Sequence, residues 1–210
     1  MFFRERERVL YMNKRIITEA EYEPVSLQEM KEWMRVEDSD NDNVIEALIS
    51  AARQKVELDT GRLACTQVWE ATIPYFPFHR TPIILSPVPI QQVTSIKYYD
   101  LDGVLQTWDD ENYLFIPGEP ARIQLFTDSD YPDTDEERIN AIAIRYVAGY
   151  EEDEYGLSVV PSLYRSAIKL LAAYWYENRE AVNIGNITSE LPLAYKSIVW
   201  NLKWKDLEQE

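Results

Sequence analysis

Apolar residues first recur at helical spacing in the segment that follows Pro24. Ser26 and Glu29 form an S-x-x-E capping box, in which each side chain can bond to a backbone N–H at the start of a helix. Val25 and Met30 flank this box at the positions of a hydrophobic staple, where two apolar side chains fix the direction of the chain. The pattern therefore predicts a helix over Leu27–Val36.

A second predicted helix follows an acidic linker at Glu37–Asp42, which supplies turn and capping residues. Gly61 ends its pattern, and glycine is the residue that most often closes a helix in the left-handed conformation. One apolar stripe runs along it at helical spacing: Val44, Ile45, Leu48, Ile49, Ala52 and Val56. We expect this stripe to pack against another element, because an amphipathic helix buries its apolar face.

The pattern changes to strand-like alternation between Cys65 and Val147, punctuated by proline, glycine and aspartate. The Asp102–Gly103 dipeptide predicts a hairpin turn, because both residues tolerate positive φ. The proline-rich segment Thr81–Pro89 is expected to be irregular or to lie at a sheet edge. About seven short strands are predicted: Val68–Ile73, Ile83–Leu85, Val93–Tyr99, Val104–Trp108, Tyr113–Ile116, Arg122–Phe126 and Ile139–Val147.

Helical spacing returns at Pro161–Ala181, whose centre is apolar on nearly every side. Such a helix must be covered on several sides by a bundle partner, a sheet or another subunit. A polar loop at Asn183–Ser189 separates it from a last helix, which Pro192 opens. The predicted core stripe of this last helix comprises Leu191, Tyr195, Ile198 and Leu202.

Two tryptophans near the C-terminus point to an interface. Trp200 and Trp204 are four residues apart, so they share one face of a continuous helix, away from the core stripe. Lys203 and Lys205 lie beside them. An exposed tryptophan pair next to lysines is typical of a protein interface, where tryptophan often dominates the binding energy. The alternative is that both tryptophans belong to the core.

The order of elements is two helices, a run of strands and two further helices. It predicts an α+β fold in which the terminal helical pairs form one bundle and the strands form an inserted, mainly antiparallel β region. The expected boundaries are 1–17 for an N-terminal extension or arm, 18–62 plus 156–210 for the helical bundle, and 63–150 for the β region.

Composition excludes several classes of function. The 210-residue chain carries a formal net charge of −16, which opposes general binding to nucleic-acid phosphates and to anionic membranes. No apolar run approaches the roughly 20 residues of a membrane span, and the first residues do not resemble a signal peptide. The single cysteine, Cys65, cannot form an internal disulfide and suits a reducing cytoplasm.

No segment carries a complete catalytic or metal-binding motif. The tripeptide Asp59–Gly61 matches that of aspartic proteases, but it ends a predicted helix, so its glycine is better explained as a cap. The segment Asp38–Asp42 resembles the start of a calcium loop, yet Asn43 and Ile49 occupy the positions that need glycine and glutamate. His79 is the only histidine, which leaves no Cys or His set for zinc. We therefore expect no catalytic residue, cofactor or metal.

Several short pieces occur in the order found in one protein family. These are Glu23–Glu29, Met34–Val36, Asp42–Arg62, Leu85–Pro89, Val93–Asp100 with Gly103, Ala148–Tyr150, Trp175–Ala181 and Glu190–Pro192. On these pieces the chain resembles the head–tail connector proteins (adaptor or head-completion proteins) of long-tailed bacteriophages and gene transfer agents. The likeness covers roughly residues 18–200, and the N-terminal arm and the Trp-rich end fall outside it.

The resemblance implies a structural role in a virion neck. Such proteins form a homo-oligomeric, dodecameric ring between the portal protein and the stopper or tail-completion protein below it. DNA passes through the ring without sequence-specific binding during genome packaging and ejection. The resemblance thus implies a virion protein made in the host cytoplasm, with no cofactor, no membrane partner and no catalytic residues.

The interpretation as a connector ring predicts two sets of site residues. The set expected to contact the portal or a neighbouring subunit is Tyr195, Trp200, Lys203, Trp204 and Lys205. The set expected to face the channel is Asp128, Asp130, Asp133, Asp135, Glu151, Glu152, Asp153 and Glu154. An acidic wall would repel DNA and keep it from sticking.

Two other functions stay open on the sequence alone. One is a binding module whose β insertion holds a peptide or a carbohydrate. The other, less favoured, is an enzyme that uses acidic residues which no motif marks.

Overall fold

The computed structural model describes residues 12–77, 80–126, 130–135, 137–152, 159–178 and 191–204. In chain order its elements are β1 (Asn13–Thr18), α1 (Leu27–Met34), α2 (Asp42–Thr60), β2 (Gln67–Ile73), β3 (Ile83–Leu85), β4 (Ile90–Tyr99), β5 (Leu105–Trp108), a 3₁₀ helix (Asp110–Asn112), β6 (Tyr113–Ile116), β7 (Ala121–Leu125), β8 (Ile142–Ala148), α3 (Ser162–Glu177) and α4 (Leu193–Leu202). Helices and antiparallel strand pairs confirm the α+β class.

The elements group into two compact units, each built from separate stretches of chain. The helical unit holds the described residues of Ala20–Thr66, Ser86–Pro89 and Ala148–Glu210. The sheet unit holds those of Met1–Glu19, Gln67–Leu85 and Ile90–Val147.

The predicted start of α1 is confirmed. The Ser26 hydroxyl accepts a hydrogen bond from the Glu29 N–H at 3.1 Å, and Val25 and Met30 are both completely buried. The helix ends at Met34, before the predicted end, because Arg35 adopts the left-handed conformation with φ of 58°. A left-handed residue cannot continue the hydrogen-bond ladder, so it closes the helix.

One hydrophobic cluster draws residues from α1, α2, α3 and α4. It includes Met30 of α1 and Tyr195 of α4. It also contains Ile45, Ile49, Ala52 and Val56 from α2 with Ala167, Ile168, Leu171 and Ala172 from α3. Val44, which was predicted in the α2 stripe, is 40% exposed, so the buried face of α2 is narrower than expected.

Helix α3 is covered on several sides, as its apolar composition predicts. Beyond its buried residues, Leu170, Tyr174, Trp175 and Tyr176 are half-buried rather than exposed. Trp175 packs against the hydrophobic cluster of the helical unit. Each residue in the apolar centre of α3 is thus buried or half-buried within one chain.

The sheet unit contains a five-stranded sheet in the order β1-β2-β8-β4-β5 and a three-stranded sheet in the order β3-β7-β6. The Asp102–Gly103 turn is confirmed between β4 and β5, where the Gly103 N–H donates to the Asp100 carbonyl at 2.9 Å with Gly103 at φ of 74°. Strands β3 and β6 have the bounds that the sequence predicts.

Strand β1 corrects the sequence interpretation, which assigned residues 1–17 to an extension or arm. Asn13–Thr18 forms an antiparallel strand beside β2, with Arg15 opposite Glu70. All six of its residues are exposed. A strand without a buried face lacks the alternation that marks most strands, so its sequence gives no strand signal.

Candidate functional site

The predicted attachment residues at the C-terminus occupy three different environments. Tyr195 is 1% exposed and belongs to the core of its own chain. Its hydroxyl donates to the Asp59 carboxylate at 2.7 Å. Burial and the neighbouring Asp59 raise the pKa of Tyr195. Tyr195 therefore fixes α4 to the end of α2.

Trp204 lies beyond the end of α4, so it does not share a helix face with Trp200. Its backbone N–H donates to the Thr60 carbonyl at 2.8 Å. Its ring packs on Gly61, 3.7 Å from the point where a side chain at that position would place its Cβ atom. Arg62 Nε donates to the Leu202 carbonyl at 2.6 Å. The chain after α4 is thus bound to the end of α2, and Trp204 is half-buried there.

Trp200 is the exposed member of the tryptophan pair. It is 73% exposed, and Leu193, seven residues earlier, is 79% exposed. Residues seven apart lie on one face of a helix, two turns from each other. Lys196 and Ser197 are exposed between them. We call Leu193, Lys196, Ser197 and Trp200 the α4 outer stripe.

Of the two lysines in the predicted attachment set, the structure describes only Lys203. Lys203 is exposed directly after α4. Lys205 lies outside the described residues. Leu193, by contrast, was missed by the sequence analysis, although its spacing of seven residues from Trp200 could have indicated it.

The predicted acidic residues divide into exposed and structural ones. Asp130, Asp133, Glu151 and Glu152 are exposed, whereas Asp128, Asp153 and Glu154 lie outside the described residues. Asp135 is half-buried. Its carboxylate accepts from the Glu137 N–H at 3.1 Å and from Arg138 Nε at 3.2 Å. The guanidinium of Arg138 lies 3.8 Å from the centre of the Tyr99 ring. Asp135 therefore shapes its own loop.

A buried ionic network lies in the helical unit. Arg53, whose side chain is 9% exposed, donates to Glu23 at 2.8 Å and to Glu57 at 3.0 Å. Glu57 also accepts from the Ala64 N–H at 2.9 Å. Burial raises the pKa of Glu57, although the charge of Arg53 opposes this shift. The side chains of this network are thus bonded to one another or to the backbone, and a buried polar network satisfied in this way stiffens the core around it.

Cys65 lacks the environment of a reactive cysteine. The thiol is free and buried, and burial raises its pKa to about 12. A nucleophilic cysteine instead needs a lowered pKa and access to solvent.

The described residues contain no group of three or more His, Cys, Asp or Glu side chains able to hold a metal ion. His79, the only histidine, lies outside the described residues. Among the described helices, none is long and apolar enough to cross a membrane.

A second ionic cluster lies on the five-stranded sheet. Glu70 of β2 accepts from Arg15 Nε of β1 at 2.9 Å and from Arg145 of β8 at 2.9 Å. Burial would raise the pKa of Glu70, but hydrogen bonds from Arg145 and Arg15 outweigh it and hold the pKa below its usual value. The cluster joins three strands, and its two arginines share one carboxylate.

These features define an α+β chain whose described residues include an exposed stripe on α4 and two ionic clusters. Residues 24–83 match the family model described as "Phage gp6-like head-tail connector protein". The resemblance to head–tail connector proteins that the sequence pieces indicate is therefore confirmed. No curated protein matches the chain.

Solved structures of gene transfer agent (GTA) particles share the fold over almost the whole chain. A chain in the "Virion of native gene transfer agent (GTA) particle" has a TM-score of 0.74 and 16% sequence identity, covering 94% of this chain and 98% of that one. The "Neck of empty GTA particle computed with C6 symmetry" and the "Neck of native GTA particle computed with C12 symmetry" give TM-scores of 0.73 and 0.70, with the same identity and coverage.

Proposed function

We propose that the protein is a structural head–tail connector, a ring subunit in the neck of a phage-like particle. In this role it joins the portal to the tail or stopper and forms part of the DNA channel. The observation that carries the proposal is the fold likeness to GTA neck structures, which covers 94% of this chain and 98% of the matched chain. The connector family match over residues 24–83 supports the same role.

The symmetry of the matched particles supports a ring of twelve copies. One matched neck was computed with C12 symmetry. A closed ring needs heterologous contacts, in which one surface of a subunit meets a different surface of the next. The ring would lie in the virion neck and would let DNA pass without reading its sequence.

The attachment surface in this proposal is the α4 outer stripe, continued by Lys203 and Lys205, while Trp204 holds the chain after α4 to the end of α2. Leu193 and Trp200 expose large apolar side chains, which is costly for solubility unless a partner covers them. Tryptophan is enriched among residues that dominate interface energy. The partner would be the portal or the neighbouring subunit.

The exposed acidic residues would contribute to a non-adhesive surface, some of it facing the channel. Asp130, Asp133, Glu151 and Glu152 are the described members of this set. With a net charge of −16, the isolated chain should not bind duplex DNA even at low salt, where electrostatic attraction is strongest. Tight, salt-sensitive binding in a gel-shift assay would contradict the acidic channel and point to the basic residues of the N-terminal arm.

Imaging is the direct test of the connector role. The protein would be mixed with heads that carry the portal encoded in the same genome, and the complexes would be examined by cryo-electron microscopy. A collar of twelve copies below the portal is the expected result. A protein that stays monomeric in the presence of these heads would contradict the proposal.

A pair of variants separates attachment from folding. The Leu193→Ala, Trp200→Ala double variant should fold normally, since both side chains are exposed, and should fail to decorate the heads. Leu58→Ala is the matched control, because Leu58 is 80% exposed on a different helix. Normal decoration by the double variant would place attachment elsewhere.

The alternative of a β-insertion binding module is not favoured by the aromatic residues of the sheet unit. Phe76 and Tyr131 stack with ring centres 4.8 Å apart, and Trp108 packs against Tyr113 at 5.0 Å. Phe76, Trp108 and Tyr113 are buried. A carbohydrate or peptide site would instead present ring faces to solvent, so these rings act as core.

A further inference from the structure

The five-stranded sheet ends in two strands that are unlike each other. Within the part of the chain that the structure describes, β1 and β5 stand at opposite ends of the strand order, so each is bonded to a neighbouring strand on one side. All residues of β1 are exposed, as are Leu105, Gln106 and Thr107 of β5. An edge strand presents a row of backbone N–H and C=O groups and is a ready template for another strand.

The residues of strand β1 itself are basic. The strand carries Lys14 and Arg15 and no acidic residue, and Glu19, Glu21 and Glu23 follow it in the sequence. Arg15 and Arg145 share the single carboxylate of Glu70, so that cluster keeps a net positive charge. Lysines on an edge discourage indiscriminate pairing, because a like-charged partner is repelled.

The β5 edge is acidic. The stretch Asp100–Ile116 contains no Lys or Arg, and its acids flank β5 on both sides. They are Asp100, Asp102, Asp109, Asp110 and Glu111. Lys97 lies one strand further in, on β4 opposite Thr107. The backbone row of β5 is therefore bordered by negative charge at each end.

The two edges also match in length and in apolar content. The regular part of β1, before its register shift between Ile16 and Thr18, is Asn13–Ile16. Strand β5 has four residues, Leu105–Trp108. Ile16 is 45% exposed and Leu105 is 51% exposed, so the regular part of β1 and strand β5 each carry one large, exposed apolar side chain.

From these observations we propose that strand β1 of one copy pairs with strand β5 of the next copy, so that the five-stranded sheets of neighbouring subunits join. Pairing of β1 with a second β1 would oppose Lys14 and Arg15 to themselves, and pairing of β5 with β5 would oppose acids to acids. Only the unlike pair brings opposite charges together. An unlike pair is heterologous, and a heterologous contact builds a ring when its repeated rotation closes, as the proposed connector ring requires. This inference rests on the proposed function, because the partner of each edge strand is a second copy of this chain in the ring.

Cysteine cross-linking on assembled particles tests the pairing directly. The background variant is Cys65→Ala, which removes the one native thiol. Asn13→Cys, which keeps both basic side chains of β1, would be combined in turn with Leu105→Cys, Gln106→Cys and Thr107→Cys, so that neighbouring registers are sampled. Under mild oxidation at least one combination should give a ladder of covalent oligomers. Arg122→Cys with Gln106→Cys is the control, because Arg122 is an exposed residue of β7, the central strand of the other sheet.

The outcomes separate this inference from the proposed function. If the collar forms on the heads and no combination gives a ladder, edge pairing is wrong and the connector role stands. If the parent protein forms no collar, the connector role itself is wrong. A ladder in the β1–β5 combinations alone, on particles that carry the collar, supports both.

Charge exchange gives a second, independent measurement. Lys14→Glu and Asp110→Lys should each lower the occupancy of the ring by about tenfold, since each places like charges across the interface. The two changes in one chain should restore it. Arg122→Glu, which makes the same change of charge away from both edges, should leave occupancy unchanged. Full occupancy with both single variants, with melting temperatures equal to the parent, would overturn the pairing.

Discussion

The helical unit and the sheet unit each contain a cluster of arginine and glutamate side chains, but the two clusters differ in burial. In the helical unit, the side chains of Arg53 and Glu57 are 9% and 10% exposed. In the sheet unit, Glu70 is 10% exposed while its partners Arg15 and Arg145 are 70% and 46% exposed. The first network is therefore internal to a core, whereas the second lies at the surface of a sheet.

This difference separates residues that hold the core together from residues that, in the proposed ring, could contact a neighbouring copy. A charge inside a core must be matched, because an unmatched buried charge costs several kcal/mol. A charge at a surface is screened by water and by salt, so its partner can change at low cost. We therefore expect the Arg53 network to determine the stability of the subunit, and the basic β1 edge to contribute to association.

The largest expected effect comes from breaking the Arg53 network. Arg53→Met should lower the free energy of unfolding by about 3–5 kcal/mol, because it leaves the buried carboxylate of Glu57 without its cation. Arg15→Met is the matched control on the sheet and should cost less than about 1 kcal/mol, since the Arg15 side chain is mostly exposed. Urea denaturation of both variants measures the difference. Equal losses would show that burial does not distinguish the two clusters.

The next effect concerns the two tryptophans at the C-terminus. Trp204→Ala should cost about 2 kcal/mol, roughly half the loss for a fully buried tryptophan, because its ring is half-buried against Gly61. Trp200→Ala should cost less than about 0.5 kcal/mol, as is usual for an exposed side chain. Thermal unfolding of the two variants checks the contrast. A stable Trp204→Ala protein would mean that the chain after α4 is not bound to α2.

The sequence predicts a helix cap, a turn or a strand boundary well when neighbouring residues form the contacts that determine it. The cap at Ser26, the cap at Gly61 and the turn at Asp102–Gly103 arise from neighbouring residues, and all three were predicted. Strands β3 and β6 were predicted with their observed bounds, because turn residues flank them closely.

Contacts between residues far apart in sequence account for the features that were missed. Strand β1 forms through its pairing with β2, where Arg15 meets Glu70 across 55 residues of sequence. The end of α4 at Leu202 carries no glycine or proline signal. It depends instead on Arg62, 140 residues away, and on the bond from Trp204 to Thr60. The prediction that Trp200 and Trp204 share one helix face was therefore wrong, because α4 ends between them.

A smaller effect is expected from the helix cap of α1. Ser26→Ala should lower the free energy of unfolding by about 1 kcal/mol, because the Glu29 N–H loses its side-chain acceptor. Ser197→Ala, on the exposed face of α4, is the matched control and should change stability by less than about 0.5 kcal/mol. In the sheet unit, Asp109 accepts from the Glu111 N–H at 3.1 Å at the start of the 3₁₀ helix. Asp109→Ala should cost less than Ser26→Ala, because Asp109 caps a 3₁₀ helix of three residues, whereas Ser26 caps an α-helix of eight residues.

The smallest effect is the response of the two clusters to acid, which should have opposite signs. The pKa of Glu70 is below its usual value of 4.5 in the folded state, so the unfolded state binds more protons as the pH falls. The stabilisation from Glu70, about 1 kcal/mol or less, is present above pH 4.5 and is lost as the pH falls through the folded pKa. The pKa of Glu57 is above 4.5, so the folded state takes its proton first and gains stability as the pH falls toward that value. The free energy of unfolding should be measured between neutral pH and about pH 3. As the pH falls, it should decrease less steeply in Glu70→Gln than in the parent, and more steeply in Glu57→Gln. The same change of slope in both variants would mean that the two carboxylates share one kind of environment, and the contrast between core and surface clusters would fail.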